Sequence, residues 1–172
     1  MAVKQWERSL VALVEQRGPA LSRYAYLLCG DSTEAADLVQ EALLRTFGRL
    51  RTSTHIDTLE GYVRQAILHV YVDGRRRQSR WARLRHLLAG QATQESAEQA
   101  VVEREGIRSG LAALSPRQRA CVVLRYYDQL TVPQIAARLN CAEGSVKRHL
   151  SDALARLARQ LDAPEGRDAH ER

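Results

Sequence analysis

The sequence predicts an all-α protein of two small helical domains joined by a linker, the carboxy-terminal domain containing a helix-turn-helix. Three observations carry this reading. Apolar residues recur at i, i+3 and i+4 along most of the chain, and no segment sustains the period-2 alternation of a half-buried strand. Ala and Leu dominate an apolar fraction of 45% while aromatic residues make up only 5%, and unbranched side chains keep their rotamer freedom in a helix. The periodic stretches are separated by Gly, Pro and helix-capping residues, and one small polar stretch, Gly90 to Ala97, divides the chain. The expected organisation is a helical domain over residues 7–80, a linker over 81–106, a second helical domain over 107–161 and a disordered tail over 162–172.

In the first domain an apolar face begins with Leu10, Leu13 and Val14 and resumes at Leu21, Tyr24, Ala25 and Leu28. Gly18-Pro19 between them predicts a break or kink. Cys29-Gly30-Asp31 stops the helix, and Asp31 followed by Glu34 predicts a cap for the next. That second helix carries Ala35, Leu38, Val39, Ala42, Leu43 and Thr46-Phe47 as a buried stripe and shows Asp37, Gln40 and Glu41 on its other face. Arg51 to Thr58 is polar and reads as a loop. A third helix follows, with Leu59, Tyr62, Val63, Ala66, Ile67 and Val70 in register, ending in the basic run Asp73 to Arg80. Trp81, Leu84, Leu87 and Leu88 form one amphipathic turn within the linker.

The second domain opens near Ile107. Ser115-Pro116-Arg117-Gln118 is a strong start signal: Ser115 caps, Pro116 fits the first helical position without losing a needed donor, and Gln118 completes a capping box. This helix runs through Val122, Val123, Leu124, Tyr126 and Tyr127 and breaks at Asp128-Gln129. Thr131-Val132-Pro133-Gln134 repeats the cap chemistry and opens a short helix with Ile135, Ala136 and Leu139 inward. After the tight connection Asn140-Cys141-Ala142, a last helix places Val146, Leu150, Ala153, Leu154, Leu157 and Leu161 on one stripe.

Charge is unevenly spread. The net charge is +6, and residues 107–161 hold nine basic against three acidic residues, with a second basic cluster near residue 75. Localised positive charge favours polyanions by displacing their condensed counterions. The three cysteines, Cys29, Cys121 and Cys141, are odd in number and lack a C-x-x-C pair, so they read as small buried apolar residues rather than disulfide or zinc ligands. His55, His69, His86, His149 and His170 are scattered and do not combine with the cysteines at ligand spacing, which argues against a metal-dependent enzyme. No cofactor is expected. Met1 to Leu10 has no signal-peptide core and no run reaches membrane-spanning length, so the chain reads as cytoplasmic.

The most specific feature is Thr131 to Leu150: a capped short helix, a tight turn and a second helix, the spacing in which the second helix enters the major groove while the first braces it. Stepping 100° per residue from a buried Val146 directs Lys147, Arg148, Ser151 and Asp152 outward, with Ser145 beside them at the start of the helix. Two cations and hydroxyls there suit phosphates and base edges, and the helix amino terminus itself favours an anion. The second feature is the cluster Arg75, Arg76, Arg77 and Arg80 after a helix that shows Tyr62, His69 and Tyr71; arginines beside aromatic rings track a backbone and stack on exposed bases. By itself this cluster equally fits a solvated helix end.

These motifs together resemble a known family. Gly30-Asp31 followed by Ala35-x-Asp37-Leu38-Val39-Gln40-Glu41-Ala42 is similar to the extracytoplasmic-function sigma factors of RNA polymerase. So are Leu114-Ser115-Pro116-Arg117-Gln118-Arg119 running to Leu124-Arg125-Tyr126-Tyr127, and Ile135-Ala136-x-x-Leu139-x-Cys141-x-x-Gly144-Ser145-Val146-Lys147. The resemblance covers about residues 8 to 160, with several motifs in the right order. It implies a non-enzymatic factor whose partners are core RNA polymerase, promoter DNA and an anti-sigma factor. By resemblance, Asp37, Gln40 and Glu41 face the polymerase clamp. Tyr62, His69, Tyr71, Arg75, Arg76, Arg77 and Arg80 hold the −10 strand, and Ser145, Lys147, Arg148 and Ser151 read the −35 duplex.

The chain departs from the family in three places. His69 stands where Asn is usual, in a segment that helps hold a flipped base. Ala142-Glu143 precedes the recognition helix where Ser or Thr is common, a missing cap worth about 1 kcal/mol unless Glu143 compensates through the helix dipole. Tyr62-Val63-Arg64 lacks the Trp of many relatives. The rival reading is a helix-turn-helix regulator with a helical sensor domain that acts without core polymerase.

Overall fold

The computed structural model describes residues 2–47, 56–88 and 105–161, all helices and tight connections with no strand among them. It divides into two compact units, Met1–Ala97 and Glu98–Arg172. The expected Gly90–Ala97 linker stretch and the tail 162–172 lie outside the described residues, as do the side chains of Trp81, Leu84, Leu87 and Leu88.

Unit 1 is built from α1 (Ala2–Cys29), α2 (Ser32–Phe47) and α3 (Ile56–Leu88), each packed on the other two. Leu13, Leu21, Tyr24, Ala25 and Leu28 form the buried stripe of α1. Of the break or kink expected at Gly18-Pro19, the break is absent: α1 is one continuous helix with Pro19 inside it. Pro19 removes one backbone donor, but buried residues on both sides of it anchor the two halves to the same core. Val14, expected on the apolar face, is 43% exposed.

Gly30 ends α1 at φ 82°, a left-handed conformation that a side chain would strain, with its N–H donating to the Tyr26 carbonyl at 2.8 Å. Asp31 then caps α2 as expected, its Oδ1 accepting from the Glu34 N–H at 2.7 Å. In α2, Ala35, Leu38, Ala42 and Thr46 are buried, and Thr46 satisfies its hydroxyl by donating to the Ala42 carbonyl at 2.7 Å.

Helix α3 begins at Ile56, so Ile56 to Thr58 are helical rather than loop; residues 51–55 lie outside the described residues. It runs to Leu88, past the basic run where the sequence suggested an end. Residues 75–80 contain no Gly or Pro, and Arg and Gln are good helix formers. Its core edge is Leu59, Val63, Ile67, Leu68 and Tyr71. Arg17 ties α1 to the start of α3 through Asp57 at 3.1 Å and Glu60 at 3.2 Å, and Glu60 in turn holds Arg64 at 2.7 Å. The Arg64 guanidinium lies 5.4 Å from the centroid of the buried Tyr24 ring.

Unit 2 comprises α4 (Glu105–Ala112), α5 (Pro116–Val122), a π-helical turn over Val123–Tyr127, α6 (Val132–Leu139) and α7 (Glu143–Leu161). The capping box at α5 forms as expected: Gln118 N–H donates to Ser115 Oγ at 3.3 Å, and Ser115 N–H donates to Gln118 Oε1 at 3.0 Å. The sequence reads α5 as continuing to Tyr127; instead its last turn widens, with the Asp128 N–H donating five residues back to the Val123 carbonyl at 3.2 Å. At α6, Gln134 Oε1 accepts from the Thr131 N–H at 2.8 Å. Asn140 ends that helix in the left-handed region, φ 48° and ψ 58°, and the Cys141 N–H returns to the Ala136 carbonyl at 3.0 Å.

Helices α4, α5 and α6 all pack on α7, around Leu111, Leu114, Cys121, Leu124, Ile135, Val146 and Ala153. Leu154, expected on the inward stripe of α7, is 45% exposed; Leu150 and Leu157 are half-buried. The stripe is narrower than the leucine spacing suggests because small Ala153 takes the central place.

Two helical glycines differ in what surrounds them. A Cβ on Gly61 meets nothing within 4 Å, whereas one on Gly110 would lie 2.7 Å from Leu157 Cδ2. Gly61→Ala should therefore stabilise unit 1 by about 0.5–1 kcal/mol. Gly110→Ala should yield a smaller gain in unit 2, because the added methyl must turn the Leu157 side chain aside and this offsets part of the propensity benefit. Urea unfolding followed by circular dichroism checks both; equal gains at the two sites would contradict the close α4–α7 approach.

Candidate nucleic-acid interface

The helix-turn-helix is α6, the Asn140–Ala142 turn and α7. Val146 and Ala153 have no exposed surface, and this anchors the rotation of α7 about its axis. Lys147, Arg148, Ser151 and Asp152 are exposed on the opposite side, as the sequence predicts, and Ser145 is half-buried at its edge. No hydroxyl side chain stands at Ala142; its carbonyl accepts from the Ser145 N–H at 2.9 Å and the Val146 N–H at 3.3 Å, and Glu143 supplies a carboxylate in the first turn.

Behind this face, His149 is half-buried, and its pKa is lowered from the ordinary 6.5. Burial is the main cause; the Arg117 and Arg148 cations add to it, and Asp152 opposes it. The Cys121 thiol is buried and pushed up to about 12, chiefly by burial, so it stays protonated and behaves as a packed apolar group.

On α2 of unit 1, Asp37 and Gln40 are exposed, and the half-buried Glu41 accepts from Arg45 Nε at 2.7 Å. On α3, Tyr62 is 50% exposed and His69 is exposed. Both line a cleft of about 540 Å³ between α2 and α3, together with Arg45, Thr46, Gln65, Ala66 and Asp73. Gln65 Nε2 and His69 Nε2 are 2.7 Å apart in a hydrogen bond across one helical turn.

Gln65, Asp73 and Arg45 are cleft residues that lie outside the sequence-predicted site. Yet residues 62, 65, 66, 69 and 73 follow one another at helical spacing, and that stripe was available in the sequence.

Tyr71 is a correction. The sequence predicts it displayed beside Tyr62 and His69, but it is only 3% exposed. It sits four residues beyond Ile67 on the core edge, and its ring faces the Arg75 guanidinium 5.6 Å away. Arg75 is half-buried and Arg77 exposed, while the side chains of Arg76 and Arg80 lie outside the described residues.

A helical unit with a cleft lined by Tyr62 and His69, and a second unit with a basic helix-turn-helix, are the parts of a DNA-binding protein. The Sigma-70 region 2 family model matches residues 13–81, and the Sigma-70, region 4 model matches residues 104–157. The RNA polymerase sigma-E factor of Streptomyces coelicolor is 34% identical over 161 residues, covering 87% of this chain and 87% of that protein. The ECF RNA polymerase sigma factor SigL of Mycobacterium tuberculosis is 32% identical over 156 residues, covering 85% of each. Among solved structures, the sigma factor RpoE of Bartonella quintana, in complex with the anti-sigma factor NepR, matches with a TM-score of 0.62 at 20% identity. That match covers 94% of this chain and 99% of that one. The chain belongs to the ECF group of RNA polymerase sigma factors.

The lowered pKa of His149 has a definite sign for stability. The folded chain binds the imidazole proton less tightly than the unfolded chain, so acid favours unfolding. Stability is full above 6.5 and declines as the pH falls through 6.5 toward the lowered folded value. His149→Gln should flatten this slope, as read from urea midpoints of unit 2 between about pH 5 and 8. An unchanged slope would place the pH dependence elsewhere.

Proposed function

We propose that this sigma factor binds core RNA polymerase through the outer edge of α2, holds the melted −10 strand along α3 and reads the −35 duplex with α7. The observation that supports it best is the division of α7 itself: Val146 and Ala153 are fully buried, while Lys147, Arg148 and Ser151 are exposed opposite them, early in the second helix of a helix-turn-helix. Phosphate contacts place such a helix in the groove and base-edge contacts specify sequence, and Lys147 and Arg148 can make either.

In unit 1, Asp37, Gln40 and Glu41 offer the polymerase clamp an acidic and polar edge. The α2–α3 cleft takes an unstacked base, with the exposed Tyr62 ring as a stacking surface and the hydrogen-bonded Gln65–His69 pair at the base edge. The basic run that follows Arg75, of which Arg77 is exposed, tracks the strand backbone.

The factor supplies specificity and captures melted DNA; nucleotide joining belongs to the polymerase and its own magnesium ions, and this chain contributes no catalytic group or cofactor. Among the described residues no helix is long and apolar enough to cross a membrane, and we place the protein in the cytoplasm with its polymerase. The Bartonella sigma factor was solved with an anti-sigma factor, and a protein of that kind covering the α2 and α7 faces is the partner we propose for this chain.

Run-off transcription with core polymerase and genomic fragments tests the reading. The purified chain and core together should start transcripts at defined sites, and neither should do so alone. Specific initiation by core without the chain, or tight binding of the chain to free promoter duplex without core, would reject it, the second outcome favouring a self-sufficient regulator.

Arg148→Ala should cost about 1–3 kcal/mol in −35 binding and relax one promoter position if Arg148 reads a base. A uniform loss across all sequences would mark a phosphate contact instead. Asp37→Ala and Glu41→Ala should weaken core binding while leaving the far-ultraviolet circular dichroism unchanged. Glu41 gives up only a surface pair with Arg45, typically worth about 0.3–0.5 kcal/mol.

A further inference from the structure

Within the basic run of α3, Arg75 and Arg77 differ in kind. Arg77 is exposed, whereas the guanidinium of Arg75 is already engaged by protein. Its Nη2 donates to Glu34 Oε2 at 2.9 Å, its Nη1 donates to Gln78 Oε1 at 3.2 Å, and its Cζ lies 5.6 Å from the centroid of the Tyr71 ring. The Arg75 and Glu34 side chains are only 33% and 37% exposed.

Glu34 stands in the first turn of α2, where its N–H also donates to Asp31. Glu34, Asp37 and Glu41 follow at i, i+3 and i+7, so they share one edge of that helix. The pair therefore joins the start of the proposed polymerase-facing edge to the point where α3 passes from its core segment into its basic run.

We propose that the Glu34–Arg75 pair is a positioning bridge, in which Arg75 sets the direction of the basic half of α3 against α2 instead of neutralising a phosphate. This rests on the reading of α3 as the segment that holds promoter DNA. Three observations favour it. Both terminal nitrogens of the Arg75 guanidinium already hold an oxygen, Nη2 a carboxylate and Nη1 an amide, and Nε is buried away from solvent, so a phosphate would have to displace a charged partner already in place. Tyr71, against which the guanidinium lies, is fixed in the core, so the cation is held from two sides and has little freedom to swing outward. Glu34 cancels the charge of Arg75, and with Arg75 removed it would leave a bare carboxylate near the path of a polyanion.

The deciding variant is Glu34→Gln, because the two roles predict opposite signs. If Arg75 positions α3, loosening the bridge should lower open-complex formation by the full chain with core polymerase by about three- to fivefold. The slope of log affinity against log salt should stay unchanged. If Arg75 contacts a phosphate, the freed guanidinium should tighten DNA binding and steepen that slope, and this result would overturn the proposal. Arg77→Gln provides the reference for a phosphate contact and should flatten the slope by about 0.7. The charge exchange E34R with R75E should recover most of the initiation lost in R75Q; no recovery counts against the bridge.

Thermal midpoints of E34Q, R75Q and the double variant decide the bridge without DNA. Non-additive shifts support it, and additive shifts overturn it. Failure of the unaltered chain to form any open complex would reject the sigma-factor function proposed above and leave that thermal cycle to judge the bridge.

Discussion

Every outward-facing group on α7 takes its direction from the burial of Val146 and Ala153. A helix rotates 100° per residue, so fixing two positions seven apart fixes the azimuth of all those between them. Lys147 and Arg148 are then exposed by geometry, without needing a partner inside the protein to hold them out. The constraint depends on small residues. Ala153 lets α7 lie close to its neighbours, and Gly110 lets α4 come near enough that a single added methyl would overlap Leu157. A bulkier residue at Ala153 would press α7 away from its neighbours, whereas one at Gly110 would first turn aside the end of the Leu157 side chain.

Unit 1 solves a related problem with one long helix that serves two purposes. The edge Leu59, Val63, Ile67, Leu68 and Tyr71 of α3 packs on α1 and α2, while Tyr62, Gln65, His69 and Asp73 line a cleft on the adjoining edge. Because both edges belong to a single rigid element, packing against α1 and α2 also sets the shape of the cleft. The ion pairs from Arg17 to Asp57 and Glu60 reinforce the same register from the far side of the helix. As surface pairs they contribute modestly, and the apolar stripe is the main determinant.

Much of this was legible beforehand because helix caps and helical periodicity are local. The Ser115–Gln118 box, the Asp31 cap and the tight connection at Asn140–Ala142 depend on residues within four positions of one another, and each formed where its residues stood. The misreadings share a different origin. Pro19 marks a break by local rules, yet tertiary burial on both sides carries α1 through it. Tyr71 and Leu154 could be sorted into core or surface only by knowing which neighbours pack against them. The π-helical turn at Val123–Tyr127 has no composition of its own to announce it. The Arg75–Glu34 contact spans 41 residues of chain and was not foreseeable from spacing at all.

The choice of glutamine in the unit 2 caps has an electrical consequence. Gln118 and Gln134 close the starts of α5 and α6 with neutral amides, where glutamate would serve the hydrogen bonding equally well. Two glutamates would raise the acidic count of residues 107–161 from three to five against nine basic residues, weakening the field that draws in a phosphate backbone. An amide also neither gains nor loses a proton over the biological range, so the two helices that brace α7 keep their end closures unaltered when the surroundings turn acidic.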